Sequence, residues 1–221
     1  MMYRVEDKYT MPRSDFLLLE KNIKNVLSLD TNQKYKISSI YFDDMYDTDL
    51  MNTINGNPTR KKMRIRIYND SLKTIKLEVK YKVYSRIYKE SCNITKQEMS
   101  SLINGIPIEW SSVDSPRNLF NEKILSSNLK PKVIVAYDRS AYLYNSGNTR
   151  ITFDSNVRSS NQIELFGNKD LYYDSIDDLN YILEVKYDEF IPDFISYLCS
   201  TNNMMQISYS KYFVCRDNYR Y

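Results

Sequence analysis

Apolar and polar residues alternate with period two along eight stretches: Met2–Met11, Lys36–Asp43, Arg60–Asn69, Thr74–Val83, Tyr84–Ile94, Lys132–Tyr144, Thr149–Val157 and Tyr181–Tyr187. Successive side chains of a strand point to opposite faces, so each stretch predicts a strand with one apolar face. Helical spacing appears between them. Pro12 opens a segment through Leu27 in which Phe16, Leu19, Ile23, Val26 and Leu27 share a face, with Ser14 or Asp15 near the cap. Thr95-Lys96-Gln97-Glu98 has the form of a capping box before Met99, Leu102 and Ile103, and Gly105 suits the stop. Ser115-Pro116 opens a further short helix, and Asp193–Ser200 carries another. The pattern predicts a mainly β (α+β) fold, antiparallel with peripheral helices and without βαβ alternation.

Several of these strands set their apolar residues against charge. Arg60, Lys62, Arg64 and Arg66 share one face, and Met63, Ile65 and Ile67 take the other. Lys76, Glu78, Lys80 and Lys82 line one face of the next strand. Arg4, Glu6 and Lys8 do so near the start, and Glu184 with Lys186 late in the chain. A solvated outer face explains any one strand. Rows of like charge on neighbouring strands are unfavourable unless counter-charges intervene. Converging inside a closed barrel of about eight strands, the same faces would make an anion tunnel. Both readings remain open on spacing alone.

Composition narrows the chemistry. The 221 residues contain no histidine, which excludes His-based catalytic centres and His-ligated zinc. Cys92, Cys199 and Cys215 are scattered, without a CxxC pair, and are expected as buried thiols rather than a disulfide framework or zinc site. With four glycines there is no glycine-rich phosphate loop, so phosphate would have to be held by side chains. A net charge of +3 does not indicate a nucleic-acid binder. Arg and Lys can hold phosphoryl oxygens, and interspersed carboxylates can hold Mg²⁺ or Mn²⁺. The charged N-terminus and the lack of a long apolar window predict a cytoplasmic chain without membrane insertion. With no linker or repeat, residues 1–221 are expected to form one domain.

The remaining conspicuous residues have plainer readings. The 21 tyrosines are expected to pack in core, strand faces and barrel rim rather than bind bases. Trp110 is expected to anchor a loop, and Asp43, Asp44, Asp47 and Asp49 to form a solvated acidic segment. Asp154 is divided between a metal's outer sphere and a structural salt bridge.

Taken in order, the motifs resemble the triphosphate tunnel metalloenzyme (CYTH-like) superfamily, and within it the VTC-type domain of polyphosphate polymerases. Glu6-Asp7-Lys8 resembles the opening E-x-K strand, and Ser39-Ile40-Tyr41-Phe42-Asp43 the second-strand motif. Arg64-Ile65-Arg66 and Glu78-Val79-Lys80 resemble the paired R-x-R and E-x-K strands. Tyr137-Asp138-Arg139 and Arg150-Ile151-Thr152-Phe153-Asp154 follow, then Glu184-Val185-Lys186 and Ser210-Lys211-Tyr212. The resemblance implies an eight-stranded antiparallel tunnel barrel with helices outside. It implies phosphate contacts from Lys8, Arg64, Arg66, Lys80, Arg139, Arg150, Ser210 and Lys211, with Arg60, Lys62 and Lys186 added by inward parity. Glu184 becomes the leading ligand of a divalent metal (Mn or Mg) and Glu6 a second. Arg64, Arg66, Lys80 and Glu184 are the implied catalytic set.

The implied activity is metal-dependent phosphoryl transfer from ATP or triphosphate, with polyphosphate synthesis foremost. The alternatives are inorganic or nucleoside triphosphate hydrolysis, or a non-catalytic polyphosphate-binding module. The expected partners are ATP, triphosphate or polyphosphate, with no nucleic acid and with room for a separately encoded protein. Two departures stand out. Ser208 occupies the place of a further lysine, and either Arg86 or Lys89 has to supply the basic residue of its strand.

Overall fold

The computed structural model describes residues 3–29, 34–113, 115–176, 181–200 and 203–219. In chain order the elements are β1 (Arg4–Thr10), α1 (Arg13–Val26), β2 (Ser28–Leu29), β3 (Tyr35–Asp43), α2 (Thr48–Ile54), β4 (Thr59–Tyr68), β5 (Ser71–Val83) and β6 (Arg86–Ile94). There follow α3 (Lys96–Ile103), α4 (Ser115–Ser127), β7 (Lys130–Tyr144), β8 (Thr149–Ser160), β9 (Asp174–Ser175), β10 (Ile182–Tyr187), α5 (Asp193–Leu198), β11 (Met205–Gln206) and α6 (Lys211–Asp217).

Eight strands close on themselves in the order β7-β3-β4-β5-β6-β1-β10-β8, with β8 returning to β7. Every pairing is antiparallel. These are the eight stretches of alternating pattern, shifted by a few residues at their ends. The short β2, β9 and β11 add to the edges. The seam is narrowest between β1 and β6, where Arg4 pairs with Ile87 and Val5 with Arg86.

The outward faces are apolar and covered by helices. Met63, Ile65, Leu77 and Val79 pack beneath α3 and α4 through Met99, Leu102 and Phe120. Ile151, Phe153, Leu183 and Val185 pack against Phe16, Leu19 and Ile23 of α1 and Ile195 of α5. The capping box of α3 forms as expected, Thr95 Oγ1 accepting from Glu98 N and Glu98 reaching back to Thr95 N, and Gly105 lies beyond its end with φ of 73°. Helix α1 differs at both ends. Pro12 is its N-cap without a side-chain cap bond from Ser14 or Asp15, and Val26 is 54% exposed, leaving the apolar face to Phe16, Leu19, Ile23 and Leu27.

The acidic segment is a correction. Asp43 and Asp49 are buried rather than solvated. The Asp43 carboxylate accepts backbone N–H groups of Asp44, Asp49 and Leu50 at 2.9–3.0 Å, and the Tyr212 hydroxyl at 2.8 Å. It ties the end of β3 to α2 and α6. A buried carboxylate is tolerated when its oxygens are filled in this way. Asp49 lacks that support, and burial followed by the Asp43 charge pushes its carboxyl up to about 7.

A third apolar group sits inside one part of the barrel. Tyr41, Val133, Val135 and Tyr137 meet Tyr212 and Cys215 of α6 there. Tyr212 stacks on Tyr41 with ring centroids 5.1 Å apart. Helix α6 therefore packs against the inner face of β3 and β7 and presents Lys211 to the remaining space. All three cysteines are buried and free, while Trp110 is 57% exposed.

Candidate functional site

Strand parity delivers the charged faces to the interior. Three cavities that share lining residues run end to end along the barrel. A central chamber of about 70 Å³ is lined by Lys62, Arg64, Arg66, Arg139, Glu184 and Lys211, among others. A mouth of about 410 Å³ opens beside Arg60, Lys62, Lys82 and the loop before α6. A second mouth of about 290 Å³ opens beside Arg4, Tyr35, Tyr68 and Arg150. The outer-face reading of the charged strands is thereby set aside.

Four carboxylates anchor the interior. Asp154 receives a bidentate pair of 2.6 Å bonds from Arg139 Nε and Nη2, and Lys211 Nζ lies 2.6 Å from it. It forms the salt bridges that one of its two readings expected. Glu184 is surrounded by Lys186 and Arg139 at 3.2 Å, Lys211 at 3.3 Å and Lys8 at 3.6 Å. Glu6 accepts Lys80 at 2.9 Å and lies 3.0 Å from Lys186 and 3.4 Å from Lys8. Glu78 accepts Arg64 Nε at 2.8 Å and Lys89 Nζ at 2.5 Å. Burial alone would push these carboxyls up. The surrounding cations outweigh it, Lys186 foremost for Glu6 and Glu184, Arg139 for Asp154 and Arg64 for Glu78, and hold all four below the usual range.

The arginines are fixed by more than charge. Arg64 Nη1 donates to the Tyr41 hydroxyl at 2.9 Å. Arg66 donates to Ser39 Oγ at 3.1 Å and to the Tyr137 hydroxyl at 3.3 Å. Such planar groups, held at several donors, need little reorganisation to meet a polyoxygen anion.

Towards the larger mouth the balance changes. Lys62 Nζ donates to Ser210 Oγ at 2.5 Å and Arg60 to Asn57 O at 3.0 Å. Among the described residues neither of them, nor Lys82, has a carboxylate within salt-bridge distance. Burial, then Lys8, Lys80 and Arg60, push the Lys62 ammonium well down. Burial brings Lys80 down to about 7 even with Glu6 beside it, since Lys186 and Lys8 add to the effect.

The predicted residues separate into two groups. Lys8, Lys62, Arg64, Arg66, Lys80, Arg139, Glu184, Lys186, Ser210 and Lys211 meet at the chamber, with Glu6 beside them. Arg60 and Arg150 stand at opposite mouths. Ser210 is the N-cap of α6, accepting from Phe213 N at 3.2 Å. Arg86 and Lys89 are both exposed, and Lys89 alone of the two reaches an interior carboxylate, donating to Glu78. Tyr41 and Tyr137 line the chamber without having been singled out. Each lies in a motif quoted above, and the inward parity they share with Ser39 and Arg139 was the available signal. Ser208 lines the larger mouth.

An eight-stranded closed barrel with a cation-rich, carboxylate-bearing interior defines a β-barrel tunnel protein. The VTC domain model matches residues 3–218, and the chain belongs to that family. Three solved structures illustrate the fold. A candidate adenylyl cyclase from Hippeastrum, described with a dominant triphosphatase activity, has a TM-score of 0.59 at 14% identity, covering 99% of this chain and 96% of its own. A candidate adenylate cyclase from Bacillus halodurans has a TM-score of 0.51 at 14% identity, covering 90% of this chain and 87% of its own. A Pyrococcus horikoshii protein has a TM-score of 0.50 at 13% identity, covering 97% of this chain and 99% of its own. No curated protein matches the chain. Among the described residues no helix is long and apolar enough to cross a membrane.

Proposed function

We infer that residues 1–221 act as one domain that transfers a phosphoryl group of ATP or triphosphate within the tunnel, with polyphosphate as the product. The observation that carries this reading is the crowding of buried cations around four interior carboxylates among the described residues. The strain falls on Lys62 and Lys80, whose charged forms are disfavoured without an anion, and a multiply charged anion sharing the space would relieve it. Membership in the VTC family supports the polymer product. So do the uncompensated cations of the larger mouth, where a growing chain finds positive charge.

In this mechanism Arg64, Arg66 and Arg139 bind nonbridging oxygens of the reacting phosphates, and Lys80, Lys186 and Lys211 neutralise charge as it shifts to the leaving group. The tunnel walls align acceptor and leaving oxygens, and the enclosed chamber limits water. A terminal phosphate of the acceptor needs no strong general base, which suits a chain without histidine.

The interior fits a hard divalent cation. Glu184 and Glu6 offer oxygen donors and share Lys8 and Lys186 as partners. Thr152, opposite Glu184 in the β8–β10 register, has a buried hydroxyl without a hydrogen-bond partner. Among the described residues no cluster of three or more acidic or cysteine side chains is arranged for a metal. Glu184, with Glu6 second, would hold Mn²⁺ or Mg²⁺ together with substrate oxygens, as Mg²⁺ commonly binds through one or two carboxylates. When bound, the cation supplies neutralisation of phosphate charge.

Hydrolysis in the same tunnel is the second reading, favoured by the triphosphatase activity described for the Hippeastrum protein of like fold. Purified protein with Mn²⁺ and ATP separates the readings. Long-chain polyphosphate supports the first and stoichiometric free phosphate the second. Binding without turnover would leave a polyanion-binding module.

Tripolyphosphate at a hundredfold excess over its Kd is expected to stabilise the fold by about 2.7 kcal/mol, or roughly 5–10 °C in Tm for a chain of this size. The ligand-free protein has a distinctive pH dependence. Lys80 and Lys62 bind protons less readily when folded than when unfolded, so between about pH 7 and the ordinary lysine range the unfolded chain holds more protons. Their contribution makes stability rise as pH increases from 7 to 9. A bound polyanion restores their protons, so binding takes up protons and affinity falls over the same interval. Thermal melts with and without tripolyphosphate, and calorimetry in buffers of different ionisation enthalpy, read both effects. A flat ligand-free profile with no proton uptake would remove Lys62 and Lys80 from the bound anion.

A further inference from the structure

The two mouths differ in chemistry. At the larger one Arg60, Lys62 and Lys82 lack carboxylate partners among the described residues, which leaves excess positive charge. At the smaller one Arg4, Lys89 and Lys186 each meet a carboxylate. Arg4 lies 3.1 Å from Asp188, Lys89 2.5 Å from Glu78, and Lys186 3.0 Å from Glu6. An anion with one charged end and one neutral end is thus favoured in one orientation, its charged end towards Lys62.

The smaller mouth also has aromatic surface. The half-buried rings of Tyr35 and Tyr68 line it with centroids 6.0 Å apart and planes tilted by 53°. The Tyr35 hydroxyl accepts from Arg150 Nη2 at 3.4 Å. Tyr35 and Tyr68 pack on one side against the apolar group of β3, β7 and α6, while Tyr88, the third tyrosine at this end, is stacked on Tyr81 at 4.5 Å and meets Tyr3 edge-on at 5.0 Å. Tyr35 and Tyr68 begin β3 and end β4, and the strands' closure holds both at the rim.

We propose that the Tyr35–Tyr68 mouth is a nucleoside site, stacking the base of a nucleoside triphosphate and orienting its terminal phosphate towards the Lys62 mouth. This rests on the tunnel acting on triphosphates and adds direction and nucleotide selectivity to it. An aromatic face attracts any base, and a base stacked on one is worth about tenfold in affinity. Inorganic triphosphate has nothing to place there. The larger mouth also carries an aromatic ring, Phe213, which makes the reverse orientation a definite alternative.

The test compares ATP with inorganic tripolyphosphate, each with Mn²⁺, by calorimetry. In the Tyr35→Leu, Tyr68→Leu double variant, ATP affinity is expected to fall about tenfold while tripolyphosphate affinity changes by less than about twofold. Tyr35→Phe with Tyr68→Phe keeps the rings and is expected to keep both affinities, which controls for folding and for the bond from Arg150. Loss of ATP selectivity in Phe213→Leu instead would reverse the orientation and overturn the proposal. Unchanged ATP affinity in the leucine pair, or a parallel loss of both ligands, would overturn it as well. Wild-type protein that binds neither ligand would sink the tunnel reading itself, and this proposal with it. Wild-type protein that binds both, with selectivity insensitive to the tyrosines, leaves the tunnel standing and removes only the nucleoside site.

Discussion

Glu184→Gln is expected to reduce metal-dependent turnover of ATP by more than about a hundredfold while tightening metal-free tripolyphosphate binding about tenfold, the two effects having opposite sign because the carboxylate serves the cation and competes with the phosphates. In the empty tunnel Glu184 engages Lys8, Lys186, Lys211 and Arg139 at 3.2–3.6 Å. Substrate phosphates must share or take over those cations. The amide keeps the shape and an acceptor oxygen but removes the negative charge, so four cations are left more available to phosphate. A purely structural role predicts a different pattern, with weaker binding and weaker turnover together. Product assays and calorimetry in the presence of a chelator distinguish them. Full turnover in the variant would take Glu184 out of the mechanism.

The second large effect concerns the paired arginines. Arg64→Ala combined with Arg66→Ala should weaken tripolyphosphate binding by about 10² to 10⁴, since each hydrogen bond to a charged group contributes about 1.5–3 kcal/mol. The change also strips Glu78, which is 1% exposed, of two of its three basic neighbours and leaves Lys89 alone with it. Breaking a buried pair in this way costs about 3–5 kcal/mol, so a loss of binding in the double variant alone could be a loss of fold. Adding Glu78→Gln removes the abandoned charge. The triple variant should recover most of the stability without recovering affinity. Wild-type affinity in a folded triple variant would show that neither guanidinium meets the anion.

Much of this architecture was legible because period-two patterning is local. Each of the eight alternating stretches became a barrel strand, and Arg64, Arg66, Glu78, Lys80, Glu184 and Lys186 face inward as their parity requires. The readings that failed involve contacts between distant segments. Asp43 looked like part of a solvated run because nothing nearby in sequence announces that Tyr212, 169 residues away, donates to it. Helix α6 was hidden for the same reason. Ser210-Lys211-Tyr212 read as a motif, but its helix is held by the inner face of β3 and β7 rather than by a strong periodicity of its own.

Residue order alone determined which strands form, which side of each is charged, and which chemistries are excluded by the lack of histidine and of a glycine-rich loop. It also carried the family resemblance. Only the closed barrel decided that the charged sides meet each other instead of water, because parity distinguishes two faces without saying which is enclosed. Closure then set the pairing of cations with carboxylates and the contrast between the two mouths. Both depend on Coulomb interactions between side chains brought together from opposite ends of the chain. Guanidinium groups of Arg64 and Arg66 directed at bulk water would contradict that arrangement at its root.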